Sequence, residues 1–470
     1  MSEKIRIGLE THVQLNTRTK LFCGCALKGL DEAEPNTRVC ETCLGLPGSK
    51  PRTNGAAVEA GIKIALALSC KLPEEIFFSR KSYFYPDMSK NFQITQYEAP
   101  MAKEGKIEIG GKTIRIRRLN LEEDPAKLVH IGGSITDAKY VLVDYNRSGT
   151  PLCEIVTEPD FDTPKEARLF LQQLMAMLEY LKVFASGEFS LKTDANISIQ
   201  TDSVKGERVE IKNITGFREI EKALNFEIVR QRNVAKRGQK IVQETRAWDA
   251  TAKVTRSLRA KEGEDDYGYI PENDLTRIEL TAEQIKQIEK TLPEMPQQKR
   301  ERYRRLGLSK ELACSIAQSL EVAQLFENLT KKFAPKFAGT WMLILQKTLN
   351  YNDLLLKETK LSESVFSKLL KSVESGKLSE RAGELVLREI ILAPEKLDEM
   401  IKKYEKAGAG DIEKAAESVI RKNGNAVSDY KNGDKKAMEF LIGRAMRETK
   451  GKADAKEIRK IIEEMIGNAL

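Results

Sequence analysis

Lys4-Ile5-Arg6-Ile7-Gly8-Leu9-Glu10-Thr11-His12-Val13-Gln14-Leu15 alternates throughout. As a strand, it puts Ile5, Ile7, Leu9, Thr11, Val13 and Leu15 on one side and Lys4, Arg6, Gly8, Glu10, His12 and Gln14 on the other. Period 2 therefore sets the Glu10 carboxylate beside the His12 imidazole on the polar face. A neutral imidazole next to a carboxylate is half of a divalent-metal site or an acid/base pair. A half-exposed strand with ordinary polar residues outward satisfies the same pattern.

The chain has 470 residues, 41% hydrophobic and 31% charged, with only two histidines and a net charge of +8. That length suggests about three domains. No stretch has the apolar length of a membrane span, and the early charged strand leaves no room for a secretion signal. The mild basic excess permits a polyanion partner such as RNA without requiring one. Seven cysteines, four of them clustered, fit a reducing cytoplasm and metal ligation better than disulfides.

Short β-rich runs recur up to about residue 290: Lys106–Leu119, Tyr140–Asp144, Ala195–Thr201 and Glu207–Lys212, with Gly110-Gly111 marking a hairpin. Helical spacing occurs at Ala56–Leu68, at 164–183 behind Pro164, and at Phe217–Arg237. Beyond Leu292 strand signals nearly vanish. Ser309 is a helix cap, and Lys406–Gly410 reads as a flexible joint. Past the joint, Ala437, Phe440, Leu441 and Ala445 stripe one helix, and Ile458, Ile461, Ile462 and Met465 another. Residues 401–470 hold 16 Lys+Arg and 12 Asp+Glu, a net of +4.

Cys23-Gly24-Cys25 and Cys40-Glu41-Thr42-Cys43 are two close pairs on turns, suited to a closed, structural four-thiolate zinc site; buried free thiols are the alternative. Leu121-Glu122-Glu123-Asp124 crowds three acids that repel unless a cation or basic partner neutralises them. Glu154 stands inside an apolar strand-like run, Leu152 to Val156, where an unpaired carboxylate is costly. A cation or a buried salt bridge would remedy that. Glu10, His12, Glu123 and Glu154 together suit Mg²⁺. Arg80-Lys81-Ser82-Tyr83-Phe84-Tyr85-Pro86-Asp87 mixes basic and aromatic residues that could line a channel, stack on a base or pack on the core. Gly110-Gly111-Lys112-Thr113 imitates a phosphate loop, but the required first glycine falls on Lys106. No Gly-x-Ser-x-Gly elbow and no amidase-like Ser-rich signature is present.

Ten runs in series resemble the B subunit of the tRNA-dependent aspartyl/glutamyl-tRNA amidotransferases. They include GLETHVQL (8–15), AEPNTRVCETCLGLPG (33–48), RKSYFYPDMSKNFQITQYEAP (80–100), LEEDPAKLVH (121–130), VDYNRSGTPLCEIVTEPD (143–160), DYGYIPENDL (266–275) and KKAMEFLIGRAMRETKGKA (435–453). Residues 266–275 are less aromatic than the family pattern, and Pro125-Ala126 replaces its usual Ala-Gly. The resemblance implies an α+β fold: a cradle-like catalytic domain with a mainly antiparallel sheet over 1–292, a helical domain over 293–405, and a small helical tRNA-binding tail over 406–470. It implies ATP-dependent conversion of Asp-tRNA(Asn) or Glu-tRNA(Gln) to the amide form. Ammonia would come from the partner amidase, the A subunit of such enzymes, and their small C subunit would clasp the two. It further implies Mg²⁺ on Glu10, His12, Glu123 and Glu154, and structural zinc on Cys23, Cys25, Cys40 and Cys43. Lys81, Tyr83, Glu122 and Glu123 would sit where a tunnel meets the site, and Lys450 and Lys452 on the tRNA surface. Two other readings stay open, a non-catalytic zinc-containing RNA-binding module of translation and a free-standing metal hydrolase.

Overall fold

The alternating stretch forms β1 (Lys4–Gln14), the strand about which a computed structural model of the chain is built. The structure describes residues 3–30, 32–132, 138–184, 191–200, 206–260, 267–405, 408–449 and 452–467. Ile7, Leu9, Val13 and Leu15 are fully buried on one face. Each such burial contributes roughly 1.5–3 kcal/mol. A one-residue slip would carry all of them to the polar face, so the register is firmly set.

The strands that follow are β2 (Glu75–Ile76), β3 (Ser79–Ser82), β4 (Phe92–Thr95), β5 (Ala102–Ile109), β6 (Lys112–Glu123), β7 (Lys127–Ile131) and β8 (Tyr140–Asp144). After them come β9 (Pro151–Thr157), β10 (Leu191–Gln200), β11 (Val209–Thr215), β12 (Glu244–Asp249), β13 (Val254–Ala260), β14 (Gly268–Pro271) and β15 (Ile278–Glu279). Eight of them form one sheet in the order β13-β12-β11-β10-β1-β9-β6-β5. Every pairing in it is antiparallel except β11 with β12. A three-stranded sheet, β14-β3-β4, adjoins it, with β4 packed on β6. β7 and β8 form a separate hairpin.

Three helices cover the apolar face: α2 (Gly55–Ala67), α3 (Pro164–Leu181) and α4 (Phe217–Lys236), following a one-turn α1 (Glu41–Leu44). Asn54 caps α2 by accepting from the Ala56 amide. Thr163 accepts from the Glu166 amide ahead of Pro164, and Lys182 ends α3 in the left-handed conformation. Their inward residues, among them Phe170, Leu174, Leu178 and Leu224, complete the core against Ile7, Leu9, Ile197 and Ile211.

A bulge decides which acid reaches the polar face. In β6, Ile114 and Ile116 are buried on the apolar side, and continuing that parity would turn Glu123 to the polar side. The register shifts between Ile116 and Arg118. Beyond it Leu119 and Leu121 are the buried apolar residues, so Asn120 and Glu122 turn to the polar face.

The chain divides into two compact units, Met1–Pro296 and Gln297–Leu470. The second is helical, and Ser309 caps its helix as expected, accepting from the Leu312 amide. Within it, helices Ala409–Lys422, Lys435–Glu448 and Ala455–Gly467 share a core of Ile412, Val419, Leu441, Ala445, Ile458 and Ile462. Phe440, expected in that stripe, is 45% exposed and meets the Arg444 guanidinium instead. Asp454 caps the last helix, accepting from the Lys456 amide at 2.7 Å. Among the described residues no helix is long and apolar enough to cross a membrane.

Candidate active site

Strand register gathers the polar cluster from distant parts of the chain. His12 lies opposite Glu154 on β9, and Glu154 lies opposite Asn120 on β6. On the other flank Glu10 lies opposite Asp194 of β10. Glu10, His12 and Glu154 each offer a ligand atom, and these atoms lie within 4.8 Å of one another. His12 Nε2 is 3.3 Å from Glu122 Oε1 and 3.7 Å from Glu10 Oε1, with the imidazole 22% exposed. Thr95 donates to Glu122 at 3.1 Å, and the Asn120 amide donates to Glu154 at 2.7 Å.

Three carboxylates this close cannot all ionise unaided. Burial pushes Glu154 up, and the charges on Glu10 and Glu122 push it further, to about 8. Burial opposes the charged form of His12. The Glu122 hydrogen bond and the charges of Glu122, Glu10 and Glu154 outweigh it and raise the imidazole to about 10. Burial also works against ionised Glu10 and Glu122, yet both end below the ordinary range. His12 leads the charges holding Glu10 down, followed by Lys212, and His12 and then Lys81 hold Glu122 down. Protons on His12 and Glu154 thus offset the crowding of the carboxylates. The donor set of two carboxylates and an imidazole fits Mg²⁺, and the buried Asn120 Oδ1, which has no hydrogen-bond partner among the described residues, leaves a further hard oxygen unused.

Of the residues expected from the sequence, Glu10, His12, Glu122 and Glu154 come together. Glu123 does not. It points away from the cluster, where Lys90 Nζ meets its Oε2 at 2.6 Å and the Ile94 amide donates to Oε1 at 2.8 Å. Neighbours on a strand face opposite ways, and the bulge in β6 gives the polar side to Glu122. Lys81, on β3, has its ammonium 5.9 Å from the Tyr83 ring centroid. Burial raises the Tyr83 phenol well above its ordinary range. Two groups had no clear signal in the sequence. Lys212 bridges Asp194 at 2.9 Å and Glu210 at 3.5 Å beside Glu10. Tyr267 stands 4.5 Å from the Lys81 ammonium.

The four clustered cysteines also converge, their sulfurs within 4.8 Å of one another. The Cys40 amide donates to Cys43 Sγ at 3.2 Å. The fully buried Lys20 places its ammonium 3.5 Å from the same sulfur. Hydrogen bonding from Cys23 leads the influences that lower the Cys43 thiol to about 4. A buried cation and an N–H donor beside four sulfurs fit the anionic shell of a four-thiolate zinc. The loop reaches the acids through backbone: the Leu21 amide donates to Gly149 O, and the Gly149 amide to Asp124 O. Gly149 has φ +87°, and an added Cβ would meet the Lys20 stem at 3.3 Å, so a side chain is doubly disfavoured there.

Lys452 begins the link into the last helix, its amide donating to Thr449 O at 3.0 Å, while Lys450 lies outside the described residues.

Known proteins are similar to this chain along nearly its whole length. The profile described as the GatB/GatE catalytic domain matches residues 5–286, and that described as the GatB domain matches residues 324–466. Among curated relatives, the aspartyl/glutamyl-tRNA(Asn/Gln) amidotransferase B subunit of Methanosarcina barkeri is 44% identical over 97% of this chain and 97% of its own length. The protein of the same name from Haloquadratum walsbyi is 42% identical over 98% and 96%, and that from Thermotoga maritima 41% over 98% and 98%. The chain belongs to the B-subunit family of the aspartyl/glutamyl-tRNA(Asn/Gln) amidotransferases.

Proposed function

We propose that this chain carries out the ATP-dependent transamidation of Asp-tRNA(Asn), Glu-tRNA(Gln) or both, within a cytoplasmic complex. The amidase partner, the A subunit, would supply ammonia from glutamine, and the small C subunit would complete the assembly. The observation that carries this reading is the Glu10–His12–Glu154 cluster with Glu122 against it, in a chain of this family. A non-catalytic RNA-binding module has no use for carboxylates and an imidazole held together at such electrostatic cost.

Glu10, His12 and Glu154 would hold Mg²⁺, which when bound neutralises phosphate charge during transfer. A side-chain carboxylate on the misacylated tRNA is a poor electrophile. Its phosphorylation by ATP creates a leaving group, and attack of ammonia on the acyl carbon then expels phosphate and forms the amide. Glu122 faces this centre and can accept the proton that the attacking nitrogen sheds. His12 and, after it, the Lys81 ammonium favour the ionised form of Glu122 against its burial. Asn120 steadies Glu154 through its amide. Cys23, Cys25, Cys40 and Cys43 would bind zinc away from the reaction, fixing the loop that abuts Asp124. Residues 406–470, including Lys450 and Lys452, would meet tRNA. Co-purification with both partners, followed by assay of the two misacylated tRNAs with glutamine and ATP, tests the proposal. Amide formation on neither tRNA by the intact complex would reject it.

A further inference from the structure

Lys81 is held by rings rather than by an acid. Pairing of β14 with β3 sets Tyr269 opposite Lys81 and brings Tyr267, just ahead of that strand, beside both Lys81 and Tyr83. The ammonium lies 4.5 Å from the Tyr267 ring centroid, closer than the 5.9 Å to Tyr83. The two rings meet edge to face at 5.9 Å and 73°. Tyr269 backs Tyr267 at 6.4 Å and is stacked on Tyr97 at 4.0 Å. The charge of Lys81 is felt at Glu10 and Glu122, yet among the described residues it forms no ion pair within 4.0 Å. An ammonium on a flexible four-carbon stem ordinarily turns to an acid within its reach, whereas that of Lys81 lies over the Tyr267 ring.

We propose that Tyr267 is a positioning residue, its ring face holding the Lys81 ammonium off the carboxylate cluster so that Glu10 and Glu122 stay available to the reacting centre. A partly desolvated cation–π contact favours the held position by about twofold to thirtyfold. The attraction comes from the ring face, so phenylalanine preserves it and leucine does not. The inference rests on the reading that Lys81 borders the reacting centre.

Competitive labelling of the full chain with acetic anhydride, quantified at each lysine by mass spectrometry, reads the contact without ATP, tRNA or partners. In Tyr267→Leu the labelling rate of Lys81 should change severalfold, with Lys90 and Lys212 unchanged. Tyr267→Phe should match the parent chain. An unchanged Lys81 in Tyr267→Leu overturns the proposal, as does a Phe variant as perturbed as the Leu variant. Equal changes at Lys90 and Lys212 would make the ring a general packing element and overturn it too. In the assembled complex, Tyr267→Leu should slow amidation severalfold in the parent background and less than about twofold in a Lys81→Met background. Equal losses in the two backgrounds refute action through Lys81. A parent complex that makes no amide would instead reject the proposed function, leaving the labelling result to judge the contact.

Discussion

Seating Mg²⁺ on the cluster should release protons, and their number reports which residues bind. Without a cation His12 titrates at about 10 and Glu154 at about 8. At pH 7.5 the imidazole is then protonated and the Glu154 carboxyl largely so. Ligation needs neutral imidazole and ionised carboxylate. Binding through Glu10, His12 and Glu154 therefore releases more than one proton per ion, whereas binding that leaves His12 protonated against Glu122 releases at most one. Isothermal titration with MgCl₂ in buffers of different ionisation enthalpy gives the number as the slope of apparent enthalpy against that enthalpy. Binding should also tighten as pH rises. Both groups titrate above their ordinary values of 6.5 and 4.5. The stability that they contribute in the absence of a cation is present below those values and is lost as pH rises through about 8 and about 10. Added Mg²⁺ should therefore raise Tm more at pH 8.5 than at pH 6.5. A slope near zero, with affinity independent of pH, would refute the assignment of these residues as the ligands.

Three further outcomes follow from other parts of the chain. Metal analysis of anaerobically purified protein should find about one zinc per chain; Cys40→Ser should expose residues 22–48 to limited proteolysis yet leave Mg²⁺ affinity within about threefold, as the two sites share no ligand. Arg80→Met leaves Glu272, whose side chain is 0% exposed and bound at 2.6 Å, without its cation. Urea unfolding of the first unit should show a loss of about 3–5 kcal/mol, whereas Lys368→Met at the exposed pair with Asp398 should change the unfolding of the second little. Removing residues 408–470 should spare the remaining fold, because the helices there pack chiefly on one another. In the complex, that truncation should weaken tRNA binding with a shallower salt dependence, and charge reversal at Lys450 and Lys452 should do so more mildly. Unchanged binding across a salt series would remove the tail from the tRNA surface.

The centre of the sheet was legible because β1 alternates without interruption, and the Gly110-Gly111 turn between β5 and β6 was equally plain. Glu154 betrayed itself as a carboxylate inside an apolar strand. The choice between Glu122 and Glu123 was not legible, since it turns on a bulge five residues upstream that no local composition announces. Nor was the parallel pairing of β11 with β12, which depends on the path of the intervening α4. Lys212 and Tyr267 reach the site through strand pairing between segments far apart in the chain. Their residue types are ordinary for exposed strands, so only tertiary register distinguishes them. The cysteine loop was visible as spacing, whereas Lys20, which supplies its buried positive charge, lies outside both cysteine pairs.

The central claim is that Glu10, His12 and Glu154 serve the ATP-dependent step and not the production of ammonia. The most direct measurement assays glutaminase and amidation side by side in complexes carrying His12→Ala or Glu154→Ala, at limiting Mg²⁺. Loss of a ligand removes several kcal/mol of charge stabilisation, so amidation should fall by about a thousandfold while glutamine hydrolysis by the partner largely persists. Near-normal amidation in both variants at limiting Mg²⁺ would contradict the account.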